Sequence, residues 1–349
     1  MRILDYFNKK LYEKENYVYI IAEVSQNHDG SLGQAHAFIE ACAKTGVDAI
    51  KFQTHIAEAE STPDEPFRIK FSYEDNTRYD YWKRMEFTKE QWANLKEHAE
   101  NCGLEFLSSP FSVEAFEMLD EIGISAWKLG SGEVFNSFLI DKMTKTKKPI
   151  LLSSGMSTYD DIIRQTEVIK RTGCPHAVFQ CTTAYPNPLE TVGLNVIEEM
   201  VGWRQFPVGL SDHSGKIYPM LAAVALGARL LETHVTLSPY MFGPDVSSSL
   251  TIEKLSELVE GVRDISCILN HKVDKSLIST EQKELRTIFS KGIYAKSDLK
   301  KGSIIGENDI QMKKPLKDIS AEEYANVIGK KISVDLKKGN SISWGDLEN

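Results

Sequence analysis

The sequence predicts an α/β fold, a closed (β/α)8 TIM barrel followed by a small β-rich domain, and three observations predict it. Eight short β-rich runs recur, most of them followed by a helix-sized amphipathic segment. Several runs are apolar nearly throughout, as strands covered on both faces are. After about residue 288 the pattern changes to short strands and turns. Parallel strands need crossover segments, and eight such units within about 220 residues suit a sheet closed on itself. An open doubly wound sheet is the structural rival, and no Gly-x-Gly-x-x-Gly turn follows the first run to support it.

The runs are 17–24, 47–52, 104–108, 125–130, 149–153, 176–181, 206–210 and 229–235. Residues 54–87 are too long for an ordinary βα connection and carry Phe67, Phe71, Tyr73, Tyr79, Tyr81, Trp82 and Phe87. Loops of that length are functional lids or disordered, and the aromatic content predicts an ordered flap. Residues 251–268 read as a helix and 269–287 as a polar, charged connector. The expected division is therefore 1–268 for the barrel with a short N-terminal extension, 269–287 for the linker and 288–349 for the small domain. Within that domain Asp298-Leu-Lys-Lys-Gly302 returns as Asp335-Leu-Lys-Lys-Gly339, 37 residues on. The repeated turn predicts a pseudo-duplicated β domain, with chance recurrence of lysine-rich turns as the alternative.

A chain of 349 residues has room for one large domain and a small one. Its net charge of −9 argues against nucleic acid or a membrane surface as partner, because both are polyanions that need basic protein surface. Five cysteines without C-x-x-C spacing imply neither a disulfide framework nor a zinc knuckle. The N-terminus lacks an apolar signal segment, and no run approaches a membrane span. These features predict a soluble protein of the reducing cytoplasm.

Barrel active sites are assembled at the C-terminal ends of the strands, so the polar residues there carry the information. His213 and His234 stand at the ends of the last two runs, and two converging imidazoles point to a divalent metal. Nitrogen ligands without cysteine leave manganese, iron, zinc and magnesium open, and Asp212 and Glu232 are expected to orient the ligands from behind. The alternative is a pair of hydrogen-bonded core histidines. His55, His98, His176 and His271 read as surface or loop residues, and His28, near Glu23, as a weaker site candidate. Lys51 and Lys128 directly follow apolar residues, which places their charges at the barrel mouth. With Ser109, Ser131, Ser153 and the amides of Gly130 and Gly155 they form a phosphate site, unless they pair with Glu23 or Glu133 in a structural network.

The motifs Ile21-Ala-Glu-Val-Ser-Gln-Asn-His-Asp-Gly-Ser31, Ile50-Lys-Phe-Gln-Thr54, Ser108-Ser-Pro-Phe111, Lys128-Leu-Gly-Ser-Gly-Glu133, Leu152-Ser-Ser-Gly-Met156, Cys181-Thr-Thr-Ala-Tyr-Pro186, Gly209-Leu-Ser-Asp-His213, Glu232-Thr-His234 and Gly243-Pro-Asp245 occur in the order of the sialic acid synthases. The chain resembles that family over nearly its whole length, and its tail resembles the family's antifreeze-like (SAF, β-clip) domain. The resemblance implies condensation of phosphoenolpyruvate with an N-acylmannosamine-type sugar to a nine-carbon 2-keto acid and phosphate. It implies a divalent metal, manganese or magnesium, no organic cofactor, and a homodimer in which the small domain of one copy caps the barrel of the other. Lys51, Ser109, Lys128, Ser131, Ser153 and Ser211 would hold phosphoenolpyruvate. Glu23, Gln53, Tyr185 and Asp245 would face the sugar, with Glu133 and Glu23 as the acid and base groups and His213 and His234 as metal ligands.

Two positions depart from the family. Lys313-Lys314-Pro315 stands where bacterial members present an arginine before proline to the sugar's acyl group, and lysine lacks that planar fork. Thr183 stands where some N-acetylneuraminate synthases carry asparagine. Both bear on the acceptor, and leave legionaminate, neuraminate and other nonulosonate precursors open. The rivals are a related synthase using a phosphorylated sugar and a non-catalytic sugar-binding barrel.

Overall fold

Eight parallel strands are arranged around one axis in the computed structural model, which describes residues 1–67 and 69–348. They are β1 (Tyr19–Ser25), β2 (Ala49–Thr54), β3 (Glu105–Pro110), β4 (Trp127–Leu129), β5 (Ile150–Ser153), β6 (His176–Cys181), β7 (Val208–Asp212) and β8 (Leu230–Thr236). Each pairs with the next, and β1 also pairs with β8, so the sheet closes as the (β/α)8 barrel expected. Several strands run one or two residues beyond the last apolar position, since β2 ends on Gln53 and Thr54 and β7 on Ser211 and Asp212. Sequence hydropathy stops too early there because the upper inward positions are polar yet still belong to the ladder.

Alternate residues explain both the core and the site. Outward residues such as Ile20, Ile50, Phe106, Leu152, Val178 and Leu231 pack under the surrounding helices. Inward residues of the lower layer, among them Ile21, Leu107, Leu151, Phe179 and Leu230, form a separate cluster. The N-terminal helices Ile3–Asn8 and Leu11–Lys14 close this layer with Ile3, Tyr6, Phe7 and Leu11. Glu105 anchors them, accepting from the Ile3 amide and from the Tyr19 hydroxyl at 2.5 Å each. The barrel floor is therefore largely apolar, with Glu105 as its buried polar anchor.

The expected flap lies among the described residues except for residue 68. Its helix Arg78–Met85 begins with a capping box between Thr77 and Asp80. Arg84 bridges Asp29 at 2.6 Å and Asp75 at 2.8 Å, tying the segment to the loop after β1. The helix expected at 251–268 is Ile252–Asn270, capped by the Thr251 side chain, with Leu255, Leu258, Val259 and Val262 buried.

The chain divides into two compact units, Met1–Lys272 and Val273–Asn349. The stretch read as a connector contains helix Thr280–Phe289, which begins with a Ser279/Gln282 capping box. That Ser-x-x-Gln spacing was the available signal, masked by the segment's charge. In the second unit the two Asp-Leu-Lys-Lys-Gly copies pair with each other. Leu299 and Leu336 form an antiparallel bridge, Lys300 meets Asp335 at 2.9 Å, and Lys337 meets Asp298 at 3.0 Å. Asp335 also accepts from the Lys301 amide and Asp298 from the Lys338 amide, so each copy closes the other's turn. Gly302 and Gly339 sit at φ 89° and 86°, where a side chain is strained.

His28 is a core residue and not a site candidate. It is fully buried, its ring centroid 4.9 Å from that of Phe87, and its Nδ1 accepts from the Gly30 amide. Burial, aided by His55 and Arg84, holds its pKa down to about 3. The unfolded chain therefore binds a proton at His28 below about pH 6.5 that the folded chain refuses, and stability falls as pH drops through that window. His28→Phe is expected to remove up to about 1.4 kcal/mol per pH unit of this slope, read from urea midpoints between pH 6.5 and 4.5.

Candidate active site

The register of the closed sheet brings the polar strand ends together. Glu23 on β1 lies opposite Lys51 on β2 and opposite His234 on β8. Lys51 Nζ is 2.5 Å from Glu23 Oε2 and 3.8 Å from Glu232 Oε2, and it donates to Ser109 Oγ at 3.3 Å. Lys128 donates to Glu232 Oε1 at 3.1 Å and to Ser153, and its ammonium lies 4.9 Å above the Phe179 ring. Ser211 donates to the same Glu232 oxygen at 3.1 Å. All four charged side chains are 5 % exposed or less.

Burial works against the charge on Lys51, yet Glu23 and Glu232 outweigh it and raise its pKa. Glu232 is also opposed by burial, but Lys128 and Lys51 hold its pKa well below the usual carboxylate range. Glu23 goes the other way: burial raises it, and the nearby Glu232 adds to this against the pull of Lys51. Neither Glu23 oxygen accepts an aligned hydrogen bond, and Glu232 Oε2 has no donor. Buried carboxylate oxygens normally find donors, so these positions are suited to an incoming ligand or proton.

His213 and His234 stand beside this network with ring centroids 5.0 Å apart at 86°. His213 Nδ1 donates to the Thr182 carbonyl at 3.0 Å, which leaves Nε2 as the bare nitrogen. His234 Nδ1 is buried with no hydrogen-bond partner. Burial first, then the neighbouring imidazole for His213 and Lys51 for His234, lowers both to about 3. Both rings are thus neutral at pH 7, the form that binds a metal. No group of three or more His, Cys, Asp and Glu side chains suited to a metal occurs among the described residues. The pair fits a divalent ion that keeps the rest of its shell for water and substrate oxygens.

These groups open into a cavity of about 660 Å³. Lys51, Gln53, Ser109, Lys128, Ser131, Glu133, Ser153, Thr183, Tyr185, Ser211, His213, His234 and Asp245 all line it. Glu23 does not line it and reaches it through Lys51. Lys314 belongs to the second unit, where it is exposed and lies 5.0 Å from the Phe289 ring centroid. Tyr185 packs on His213 with ring centroids 4.2 Å apart, and Ser25 donates to Asp245 at 2.6 Å. At Gly155 a Cβ would come within 2.4 Å of Thr183 Oγ1 and 2.6 Å of Ser131 Oγ, so a larger residue would displace these hydroxyls. Its amide donates to Ser131 at 3.1 Å. Phe67, Phe71 and Trp82 of the flap form one wall.

Several expectations need correction. Glu232 does not stand behind the histidines; it is the carboxylate shared by both lysines, as its inward position two residues before His234 could have shown. Asp212 turns to Ser214 instead of a histidine. Lys51 pairs with Glu23 and Lys128 with Glu232, and the Glu133 carboxylate instead accepts from Asn136 at 2.8 Å. His55 is no surface residue: it is 3 % exposed and lines the cavity.

Comparison with known proteins agrees with the family resemblance read from the motifs. The NeuB family matches residues 38–274, and the SAF domain matches residues 290–348. The N,N'-diacetyllegionaminic acid synthase of Campylobacter jejuni is 34% identical over 93% of this chain and 98% of its own. The human N-acetylneuraminate-9-phosphate synthase is 32% identical over 93% of this chain and 91% of its own. Among solved structures, the N-acetylneuraminic acid synthetase of Leptospira borgpetersenii in complex with citrate is 31% identical. It covers 78% of this chain and 91% of its own, with a TM-score of 0.69.

Removing the shared carboxylate leaves two buried ammonium groups with one partner. Glu232→Gln is expected to cost about 3–5 kcal/mol of stability in urea unfolding at pH 7. A loss below about 1 kcal/mol would mean that water already screens the lysines.

Proposed function

The chain belongs to the NeuB family, and on that premise we propose that it condenses phosphoenolpyruvate with an open-chain N-acylmannosamine-type sugar, either N-acetylmannosamine or a 2,4-diacetamido hexose. The products are a nine-carbon 2-keto acid and phosphate. One observation carries this reading: a single cavity holds two buried lysines among serines on one side and two neutral imidazoles on the other.

The donor is a small polyanion, and Lys51 and Lys128 with Ser109, Ser131, Ser153 and Ser211 supply the charge and donors it needs. Its arrival places negative charge beside Glu23 and Glu232, which favours protonation of Glu23, the carboxyl already raised. Glu23 thereby supports the donor site and stores a proton. The methylene carbon C3 of phosphoenolpyruvate forms the new bond to the aldehyde carbon as its double bond to C2 opens, and the aldehyde oxygen takes up a proton. Water then adds to C2, which bears the phosphate, and the tetrahedral intermediate expels phosphate to leave the 2-keto group. Glu133, at the cavity wall near Ser131, is the base that takes the proton from that water.

His213 and His234 would hold a manganese or magnesium ion, which when bound supplies a Lewis acid for the aldehyde oxygen. Gln53, Thr183, Tyr185 and Asp245 face the acceptor. By resemblance Lys314 meets its acyl group, and the working form is a cytoplasmic homodimer.

The direct test is phosphate release from phosphoenolpyruvate with manganese and a panel of N-acetylmannosamine, a 2,4-diacetamido hexose and N-acetylmannosamine 6-phosphate. Release with a free sugar is expected, and release with the phosphorylated sugar alone would overturn the assignment. His213→Ala and His234→Ala are each expected to weaken manganese binding at least about tenfold in calorimetry while circular dichroism stays unchanged. Unaltered binding would remove the histidines as ligands. Lys314→Ala is expected to raise the KM for the acceptor and leave that for phosphoenolpyruvate; an equal rise in both would show that Lys314 does not touch the sugar.

A further inference from the structure

His55 is an enclosed polar group of the cavity wall for which the proposed chemistry has no use. Its ring is stacked between two others. Trp82 lies on one face with centroids 4.0 Å apart at 13°, and Phe111 on the other at 4.4 Å and 10°. Trp82 belongs to the flap helix and Phe111 follows β3, so the stack fastens the flap to the barrel. In its own plane, His55 Nδ1 is 2.6 Å from Glu60 Oε1 and Nε2 is 3.3 Å from Gln53 Oε1. Gln26 donates to the same Gln53 oxygen at 3.1 Å. Glu60 Oε2 is buried without a partner.

A carboxylate only accepts, so Nδ1 carries the hydrogen that points to Glu60. A second hydrogen on Nε2 makes that nitrogen a donor to Gln53 Oε1, and the Gln53 NH2 group then faces the cavity. A bare Nε2 repels a carbonyl oxygen, and the Gln53 amide must turn over, presenting its oxygen instead. The proton count on His55 therefore sets whether Gln53 offers the acceptor a donor or an acceptor group. The Gln26 amide, donating to that Gln53 oxygen at 3.1 Å, holds the oxygen on the His55 side.

We propose that His55 is a positioning residue: with Glu60 it holds the Gln53 NH2 group toward the acceptor and pins the flap through Trp82. This rests on the proposed assignment of Gln53 to the acceptor sugar.

Two variants separate the parts. His55→Phe keeps the stack and removes both hydrogen bonds, and Glu60→Gln keeps the ring and removes the charge. His55→Phe is expected to raise the acceptor KM about tenfold, the worth of one hydrogen bond, with kcat and the phosphoenolpyruvate KM within about twofold. Glu60→Gln is expected to shift the acceptor KM in the same direction by a smaller factor. An unchanged acceptor KM, or equal rises in both KM values, overturns the proposal. Nitrogen NMR of histidine-labelled protein at pH 6 reads the same point without turnover, the His55 signals being those missing from His55→Phe. Two protonated ring nitrogens support the proposal, and a bare Nε2 defeats it. If the parent releases no phosphate with any sugar, the assigned reaction fails, while the nitrogen signals still decide the state of His55.

Discussion

Four ionisable side chains share the inside of a barrel whose floor is largely apolar, and the rest of the site depends on their balance. Each buried ion costs several kcal/mol relative to water, a cost offset only by close opposite charges. Lys51 and Glu23 meet at 2.5 Å, Lys128 and Glu232 at 3.1 Å, and Glu232 also reaches Lys51 at 3.8 Å. Two acidic and two basic groups face each other without saturating the set, because both Glu23 oxygens and one Glu232 oxygen lack aligned donors. The N-terminal helices matter to this arrangement from the far end, since Phe7 and Leu11 help bury the layer containing Phe179, over which the Lys128 ammonium rests.

The charged half also conditions the imidazole half. After burial, Lys51 is the largest influence lowering His234, and His234 in turn lowers His213. The two rings therefore remain neutral beside a carboxylate that would otherwise draw protons to them. A site of this kind keeps a charged lysine–carboxylate set and a neutral imidazole pair side by side. The flap completes it by covering one wall with aromatic rings, and His55 is where that cover joins the strand ends.

Much of this was legible in the chain. Apolar runs ending in a polar residue marked the strands and their upper ends together, which is why Lys51, Lys128, His213 and His234 were found by position. The paired Asp-Leu-Lys-Lys-Gly turns signalled a duplication, and the copies do close one another. The errors over the histidines have one source. His28 and His55 both follow β-strand motifs, yet one is buried against Phe87 and the other is sandwiched by Trp82 and Phe111. Nothing local distinguishes them, because Trp82 and Phe111 are distant in the chain.

The sequence by itself determined the barrel class, the second domain, the family resemblance and the residues that reach the mouth. Each follows from periodicity, composition or motif order, which are local properties. Only the tertiary structure decided the partners: Glu232 serves Lys128 from 104 residues away, Glu23 stands behind Lys51, and His55 faces the cavity. The physical reason is closure. Joining β8 to β1 brings inward side chains from non-adjacent strands across one narrow axis, and no pattern along the chain records which of them will meet.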